Sequence, residues 1–307
     1  MRIAHISDLH ALELRGVSPL RFLNKRLLGG INLLRKRAAQ HPVRLLDALC
    51  QDLNSIELDH IVVTGDLSNL SLPSELERAR QALSTLRLGP QNVTVIPGNH
   101  DVYVWEAYFG RHFEQAFGEY CTGDSPAAEG RERFPFVRVR EPVALVACST
   151  ALPSPPPLAD GWLGKRQLAA IEEKLQALRG HFRVLLIHHP PLPQSMDILR
   201  ALRDRKALHR VLGRVGCELV LHGHEHRDLR GTIPGPDGPI PVIGVGSGTY
   251  SDPRPDRCAR YNIYTIDRSV DGSGCRFSVE QRVYSAAEGS FQQTGAQPFA
   301  VHPSAAS

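Results

Sequence analysis

Several features that mark whole classes of protein are missing from this sequence. Its six cysteines, Cys50, Cys121, Cys148, Cys217, Cys258 and Cys275, show no paired short spacing. That excludes zinc knuckles and dithiol redox motifs and predicts free thiols in a reducing compartment. No apolar run is long enough to span a bilayer, and the opening MRIAHISDLH has no charged leader followed by an uninterrupted apolar stretch. A soluble, cytoplasmic protein is therefore expected. Neither sign of charge dominates: the formal net charge is +4 over 307 residues, with basic residues spread widely, so charge alone does not indicate a polyanion partner. No internal repeat is present.

What the sequence does contain is apolar material in a regular order. Hydrophobic residues make up 42% of the chain, enough for a large buried core. Apolar runs of strand length fall at Ile3 to Ile6, Ile61 to Val63, Val93 to Ile96, Val143 to Ala147, Val184 to Ile187, Leu219 to Leu221 and Val242 to Val245. Between them lie helical stripes: Leu45, Leu49, Leu53 and Ile56; Leu76, Ala79, Leu83 and Leu86; Leu168, Ile171, Leu175 and Leu178. This alternation predicts an α/β fold, and the stripes are read as core contacts only. Beyond Ala259, Tyr261, Ile263 and Thr265, then Phe277, Val279, Gln281 and Val283, alternate as antiparallel strands do. The segment from Pro234 to Pro241 reads as a loop or hairpin connection. One domain over 1–285 is expected, with an insertion at about 11–41 and a flexible, small and polar tail over 286–307.

Polar residues directly follow five of the apolar runs: IAHISDLH, IVVTGDL, VTVIPGNHD, VLLIHHPP and LVLHGHEH. Loops at the carboxyl ends of strands converge in open α/β sheets, so these clusters can meet in one place. Each has an ordinary explanation when taken alone: Asp8 as a helix cap, Asp66 and Asn99 as turn residues, His188 as a histidine satisfied at a strand end. Jointly, Asp8, Asp66, Asn99, His10, His188, His224 and His226 supply two carboxylates, an amide oxygen and four imidazoles, the donor set for two borderline-hard metal ions. Extended backbone would point Asp8 and His10 to one side, and His224 and His226 likewise. Gly65 and Gly223 precede ligands where the backbone must approach closely.

The ordered blocks Asp8/His10, Gly65-Asp66, Gly98-Asn99-His100-Asp101, His188 and Gly223-His224-Glu225-His226 resemble the motif string of the calcineurin-like metallophosphoesterases. The resemblance runs from Ile3 to about His226 in motifs and to Val283 in fold. It implies a two-sheet α/β/β/α sandwich with two divalent metal ions, manganese or iron by expectation, with zinc or cobalt compatible with mixed nitrogen and oxygen donors. It places one ion on Asp8, His10, Asp66 and His226 and the other on Asp66, Asn99, His188 and His224, with Asp66 bridging. His188 rather than His189 is taken as ligand because it precedes the proline by two positions. His189 and His222 then flank the ligands. His100 would protonate the leaving group or stabilise the transition state. Asp101 would either fix the tautomer of His100 or cap a helix.

The implied chemistry is hydrolysis of a phosphodiester or pyrophosphate by a hydroxide held between the two ions. No serine, cysteine or P-loop machinery competes with it: the sequence has no G-x-S-x-G elbow, no G-x-x-x-x-G-K-[ST] loop and no cysteine set beside an arginine in a phosphatase-like loop. The insertion contains RFLNKRLLGGINLLRKR. This basic, apolar segment, about 20–37, would rest on an anionic membrane surface, wall the active site, or pack as a helical hairpin on the core. It resembles, more loosely, the insertion of hydrolases of lipid-linked nucleotide pyrophosphates such as UDP-diacylglucosamine. A cyclic-nucleotide phosphodiesterase is the competing substrate reading. Nucleic acid is disfavoured, since no basic stripe is interleaved with aromatics. A scaffold of the same fold without chemistry is the alternative of a different class. Arg254, Arg257 and Arg260 read first as solvated arginines of a surface loop and second as candidates to reach a phosphate.

Overall fold

A computed structural model of the chain describes residues 1–27, 40–125, 133–192, 199–252, 254, 257–268 and 275–299. Along them run β1 (Arg2–Ile6), α1 (Val43–Ser55), β2 (His60–Val63), α2 (Pro73–Ser84), β3 (Val93–Val95), α3 (Trp105–Phe109), α4 (His112–Phe117), β4 (Phe136–Arg140), β5 (Val143–Ala147), α5 (Gly164–Ala177), β6 (Phe182–Leu186), α6 (Arg205–Val215), β7 (Leu219–His222), β8 (Leu229–Gly235), β9 (Gly238–Gly244), β10 (Arg260–Arg268), β11 (Cys275–Ser285) and β12 (Ser290–Phe299). The strands form two six-stranded sheets in the orders β12-β11-β10-β1-β2-β3 and β4-β5-β6-β7-β9-β8. β1, β2 and β3 are parallel, as are β5, β6, β7 and β9, while β10 adds to β1 antiparallel.

The period of two along each strand builds the layers. In the second sheet Leu145, Val184, Leu186, Leu219 and Leu221 join Ile3, Tyr264 and Phe277 of the first sheet in one cluster between the sheets. The alternate residues Val146, Leu185, Ile187, Val220 and Val242 face the other way, onto Leu168, Ile171 and Leu175 of α5 and Leu208, Val211 and Leu212 of α6. The stripe of α1 (Leu45, Leu49, Leu53) and that of α2 (Leu76, Ala79, Leu83) pack with the first sheet. Each fully buried leucine or isoleucine contributes roughly 1.5–3 kcal/mol. The result is the expected α/β/β/α sandwich.

One expectation needs correction. Ser290–Phe299 is not part of a loose tail: it forms β12 and pairs antiparallel with β11, which supplies the partners that a polar edge strand lacks on its own. Residues 300–307 lie outside the described residues. The Pro234–Pro241 segment is a hairpin connection, strand on both sides of a tight turn, with Pro234 opposite Pro239. Where it is described, the insertion packs on the protein. Leu12, Leu14, Val17 and Phe22 pack against Leu70 and Leu72, and the buried Arg26 guanidinium donates to the carbonyls of Leu70 (2.9 Å) and Ser71 (3.2 Å) and pairs with Glu106 (2.8 Å). Leu20, Leu23 and Leu27 remain exposed. The rest of the apolar basic run, 28–37, lies outside the described residues.

Candidate metal centre

The carboxyl ends of β1, β2, β3, β6 and β7 bring Asp8, His10, Asp66, Asn99, His100, Asp101, His188, His224 and His226 into one region. The parallel registers Ile6 to Val63 and Val63 to Val95 align the ends of β1, β2 and β3, and Leu186 to Leu221 aligns β6 and β7. Asp8, His10, Asp66 and His226 each present a ligand atom within 4.8 Å of the others. His10 Nε2 lies 3.0 Å from His226 Nε2, which is 3.2 Å from Asp8 Oδ1. On the other side of Asp66, His188 Nε2 is 3.4 Å from Asp66 Oδ2, and the His188 and His224 rings are 5.1 Å apart.

These loops are not extended. Asp8 (φ 55°), His10 (φ 45°), Asp66 (φ 54°), His224 (φ 74°) and His226 (φ 52°) all adopt left-handed backbone, and the only other described non-glycine residues that do so are Ser71 and Arg111. The paired ligands therefore face one centre through tight left-handed turns, not through strand alternation. Each such residue costs roughly 1–2 kcal/mol, and a cluster of them marks a site held against local preference. Glycine is required beside them. A Cβ on Gly65 would stand 2.6 Å from Gly98 N and 2.7 Å from His188 Nδ1, and one on Gly223 would collide with Ser7 Oγ.

Buried polar atoms without partners are expensive. Asn99 Oδ1, His188 Nε2 and both ring nitrogens of His224 meet no hydrogen-bond partner, and Asp8 Oδ1 is also unbonded. Lone pairs of this kind, gathered from oxygen and imidazole donors, are what a pair of divalent cations satisfies, so the residues fit the implied ions. Electrostatics agree. Burial would raise the Asp66 carboxyl, but the imidazoles of His188, His100 and His10 hold it well below the ordinary carboxylate range. Asp8 is likewise opposed by burial and lowered by His226 and His188. Burial, then neighbouring imidazoles, keeps His10 and His224 well below 6.5 and therefore neutral. Burial works against His188 too, yet Asp66 pushes it up to about 9, so a cation entering there displaces a proton.

Of the two adjacent histidines, His189 has both ring nitrogens committed, Nδ1 to Thr150 Oγ1 (2.7 Å) and Nε2 to the Ala159 carbonyl (3.2 Å). His188 commits only Nδ1, to the Thr64 carbonyl at 2.6 Å, and leaves Nε2 toward Asp66. His222 is bonded through Nδ1 to Gly223 O.

His100 donates its backbone N–H to Asp66 Oδ1 (2.8 Å), and its Nδ1 lies 2.6 Å from the Asn69 carbonyl, which places the hydrogen on Nδ1. Its ring stacks on Tyr103 at 5.5 Å and 8°. Asn69, not Asp101, therefore sets the tautomer. Asp101 also caps no helix, since α2 and α3 begin after Leu72 and Val104. It accepts instead from the backbone N–H of Gly98 (2.9 Å), Ser68 (2.8 Å) and Leu67 (3.2 Å) and from Ser68 Oγ (3.0 Å), clasping the loop after β2 to the turn after β3. Arg260 is buried against Asp228 (2.8 Å), and Arg254 pairs with Asp252 (2.6 Å), so two of the three arginines proposed for phosphate are engaged by carboxylates. Sequence reasoning missed Ser247 and Thr249, whose hydroxyls donate to the carbonyls of Asp8 (2.6 Å) and Leu9 (2.7 Å). They too follow an apolar strand directly, and the same rule applied to β9 would have found them.

With that geometry in hand, the chain can be set beside known proteins. It is 26% identical over 278 residues, 89% of this chain and 71% of the relative, to a cAMP/cGMP dual specificity phosphodiesterase of Mycobacterium tuberculosis. It is 26% identical over 272 residues, 84% of this chain and 85% of the relative, to a glycerophosphodiester phosphodiesterase of Enterobacter lignolyticus. In fold it is similar to a dimetal phosphatase from Danio rerio, with a TM-score of 0.60 at 13% identity over 91% of this chain and 94% of that one. A purple acid phosphatase from yellow lupin gives a TM-score of 0.57 at 15% identity over 95% of this chain and 52% of that one. The family model for calcineurin-like phosphoesterases matches residues 1–228, which contain every ligand candidate, and the chain belongs to that family.

Proposed function

We propose that the protein is a phosphodiesterase that works with two divalent cations, manganese or iron in the first instance. The observation that carries this reading is the set of buried oxygen and ring-nitrogen atoms without hydrogen-bond partners on Asn99, His188 and His224 around Asp66. Asp8, His10, Asp66 and His226 would hold the first ion, and Asp66, Asn99, His188 and His224 the second. Bound there, the ions would supply an activated water and charge neutralisation for the phosphoryl oxygens. The chain's own work is to position and protonate. As the imidazolium, His100 would give its Nε2 proton to the leaving oxygen and keep its Nδ1–H on the Asn69 carbonyl, while Tyr103 fixes the plane of the ring. The substrate is a phosphodiester, the bond class named for both curated relatives.

The test is manganese-dependent hydrolysis of bis-p-nitrophenyl phosphate by the wild type and by folded Asp66→Ala and His100→Ala variants. Activity in the wild type and its loss in both variants is expected. Absence of turnover with manganese, iron, cobalt or zinc would sink the general phosphodiesterase reading.

One observation favours a second reading, a lipid-linked nucleotide pyrophosphate met at a membrane surface. Exposed Leu20, Leu23 and Leu27 lie on the segment that Arg21 and Arg26 tie to Glu106, beside exposed Trp105, Tyr108 and Phe109 of α3. Among the described residues no helix is long and apolar enough to cross a membrane, so such contact would be peripheral. Cosedimentation with phosphatidylglycerol vesicles, lost on Leu23→Glu, and faster hydrolysis of UDP-diacylglucosamine than of cAMP would favour it; the reverse rates without vesicle binding would remove it.

A further inference from the structure

His41 ends the insertion, directly before Pro42 at the N-cap of α1, and it is buried. The chain is tied to the loop after β9 at this point. Ser251 N–H donates to the Gln40 carbonyl at 2.6 Å, and His41 Nδ1 lies 2.8 Å from Thr249 Oγ1. The Thr249 hydroxyl has a single proton and donates it to the Leu9 carbonyl at 2.7 Å. It can therefore only accept from His41, so Nδ1 carries the hydrogen and Nε2 keeps a lone pair.

The same division appears in two of the ligand candidates already described. His10 Nδ1 lies 3.2 Å from the Ser68 carbonyl and His188 Nδ1 lies 2.6 Å from the Thr64 carbonyl, each with Nε2 toward the carboxylates. An imidazole bonded to protein oxygen through one nitrogen and turned to the site with the other is the arrangement that metal ligation uses.

The position agrees with the tautomer. The His41 ring is edge-on to His10 at 4.8 Å between centroids and 6.0 Å from His226. A ligand atom from each of His10, His41 and His226 lies within 4.8 Å of the other two, the same span that encloses Asp8, His10, Asp66 and His226. Nitrogens bound to one ion at about 2.0–2.1 Å stand roughly 3–3.5 Å apart. His10 and His226 already meet that separation at 3.0 Å, and His41 reaches it with a side-chain shift on the order of 1 Å.

We propose that His41 is an additional ligand of the first metal site, giving it a third imidazole beside His10 and His226. This rests on the dinuclear reading above. Its consequence is chemical inequivalence. The first site becomes richer in nitrogen than the second, which takes an amide oxygen from Asn99, so the first site prefers imidazole-seeking ions such as zinc or cobalt over manganese.

The test is titration of the metal-depleted chain with Co²⁺, followed by calorimetry and by visible absorption, for the wild type, His41→Ala, His41→Gln, Thr249→Val and Asp66→Ala. His41→Ala is expected to weaken one of two sites by about ten- to a hundredfold, leave the other within twofold and change the absorption band. Thr249→Val, which frees the tautomer while keeping the ring, is expected to weaken the same site by several-fold. Two unaltered affinities and an unaltered spectrum in these variants would overturn the assignment and leave His41 as packing. If His41→Ala does not fold, His41→Gln and Thr249→Val decide the matter by the same criteria. A wild type that binds no Co²⁺ would instead remove the dinuclear reading, and this assignment with it.

Discussion

The loop after β2 and the turn after β3 each sink a carboxylate, and the protein treats the two in opposite ways. Asp101 is fully buried and accepts four hydrogen bonds, three from backbone N–H groups and one from Ser68 Oγ. Asp66, 1% exposed, accepts a backbone N–H from His100 and otherwise faces the imidazoles of His188 and His10 at 3.4 and 4.0 Å. Burial, and then the charge of Asp66, pushes Asp101 up to about 7, while Asp66 is held well below the ordinary range. A carboxylate whose donors are backbone N–H groups and one hydroxyl of the adjoining loop is scaffold. One set among buried ring nitrogens that lack partners is placed to share a cation with them, the role proposed above for Asp66.

Breaking the comparison at Asp66 should have the largest effect. Asp66→Ala removes the carboxylate proposed to bridge the two ions, so metal content should fall by at least one ion per chain, and phosphodiesterase rate by about three orders of magnitude or more. The metal-free variant should lose about 1–3 kcal/mol, because the His100 N–H loses its acceptor and His188 its carboxylate partner. Metal analysis beside urea titration in a chelator checks both. Undiminished metal content would remove Asp66 as the bridge.

His100→Ala comes next. Loss of the leaving-group proton should lower kcat by about 10²–10⁴-fold while metal content and KM stay put. A fall in metal content instead would make His100 a part of the ion site and not a proton donor. Asp101→Ala should invert this pattern: three backbone N–H groups lose their acceptor, for a stability loss of about 3 kcal/mol, while metal-loaded, folded enzyme retains rate within tenfold. Full stability with abolished turnover would return Asp101 to the chemistry.

What was legible in the sequence divides along the same line of local against non-local information. Strands β1, β2, β3, β5, β6, β7 and β9 lie on apolar runs broken only by His5, Thr94 and Gly244, and the ligand candidates directly follow five of them, so order alone located them. β4 escaped because Arg138 occupies a core position, where its guanidinium donates to the carbonyls of Thr122, Pro90, Val93 and Glu119 and breaks the apolar alternation. β8 and β12 are edge strands with exposed faces, and α6 hides the stripe Leu208, Val211, Leu212 and Val215 among Arg205, Lys206, Arg210 and Arg214. In the site, the left-handed backbone at Asp8, His10, Asp66, His224 and His226 carries no signature beyond the neighbouring glycines. His41 reaches His10 only because the loop after β9 anchors it, a contact across 208 residues of sequence through Thr249.

The smallest expected effect sharpens the comparison from the side of the imidazoles. His60 lies on β2 at the end away from the ligands, with Nε2 2.8 Å from Thr94 Oγ1. Burial, then the charges of Arg138 and Arg140, lowers it from 6.5 to about 3. A depressed folded pKa means that its contribution is fully present above the unfolded value of about 6.5 and is lost as pH falls toward 3. By pH 5.5 the unfolded chain has taken up the proton and the folded chain has not, which costs about 1.4 kcal/mol for this one histidine. Urea unfolding of metal-free wild type and His60→Gln at pH 7.5, 6.5 and 5.5 should therefore show a loss of stability smaller in the variant by about that amount. Parallel curves would mean that His60 protonates within the fold, and that the neutrality of these buried imidazoles belongs to the ligand cluster alone.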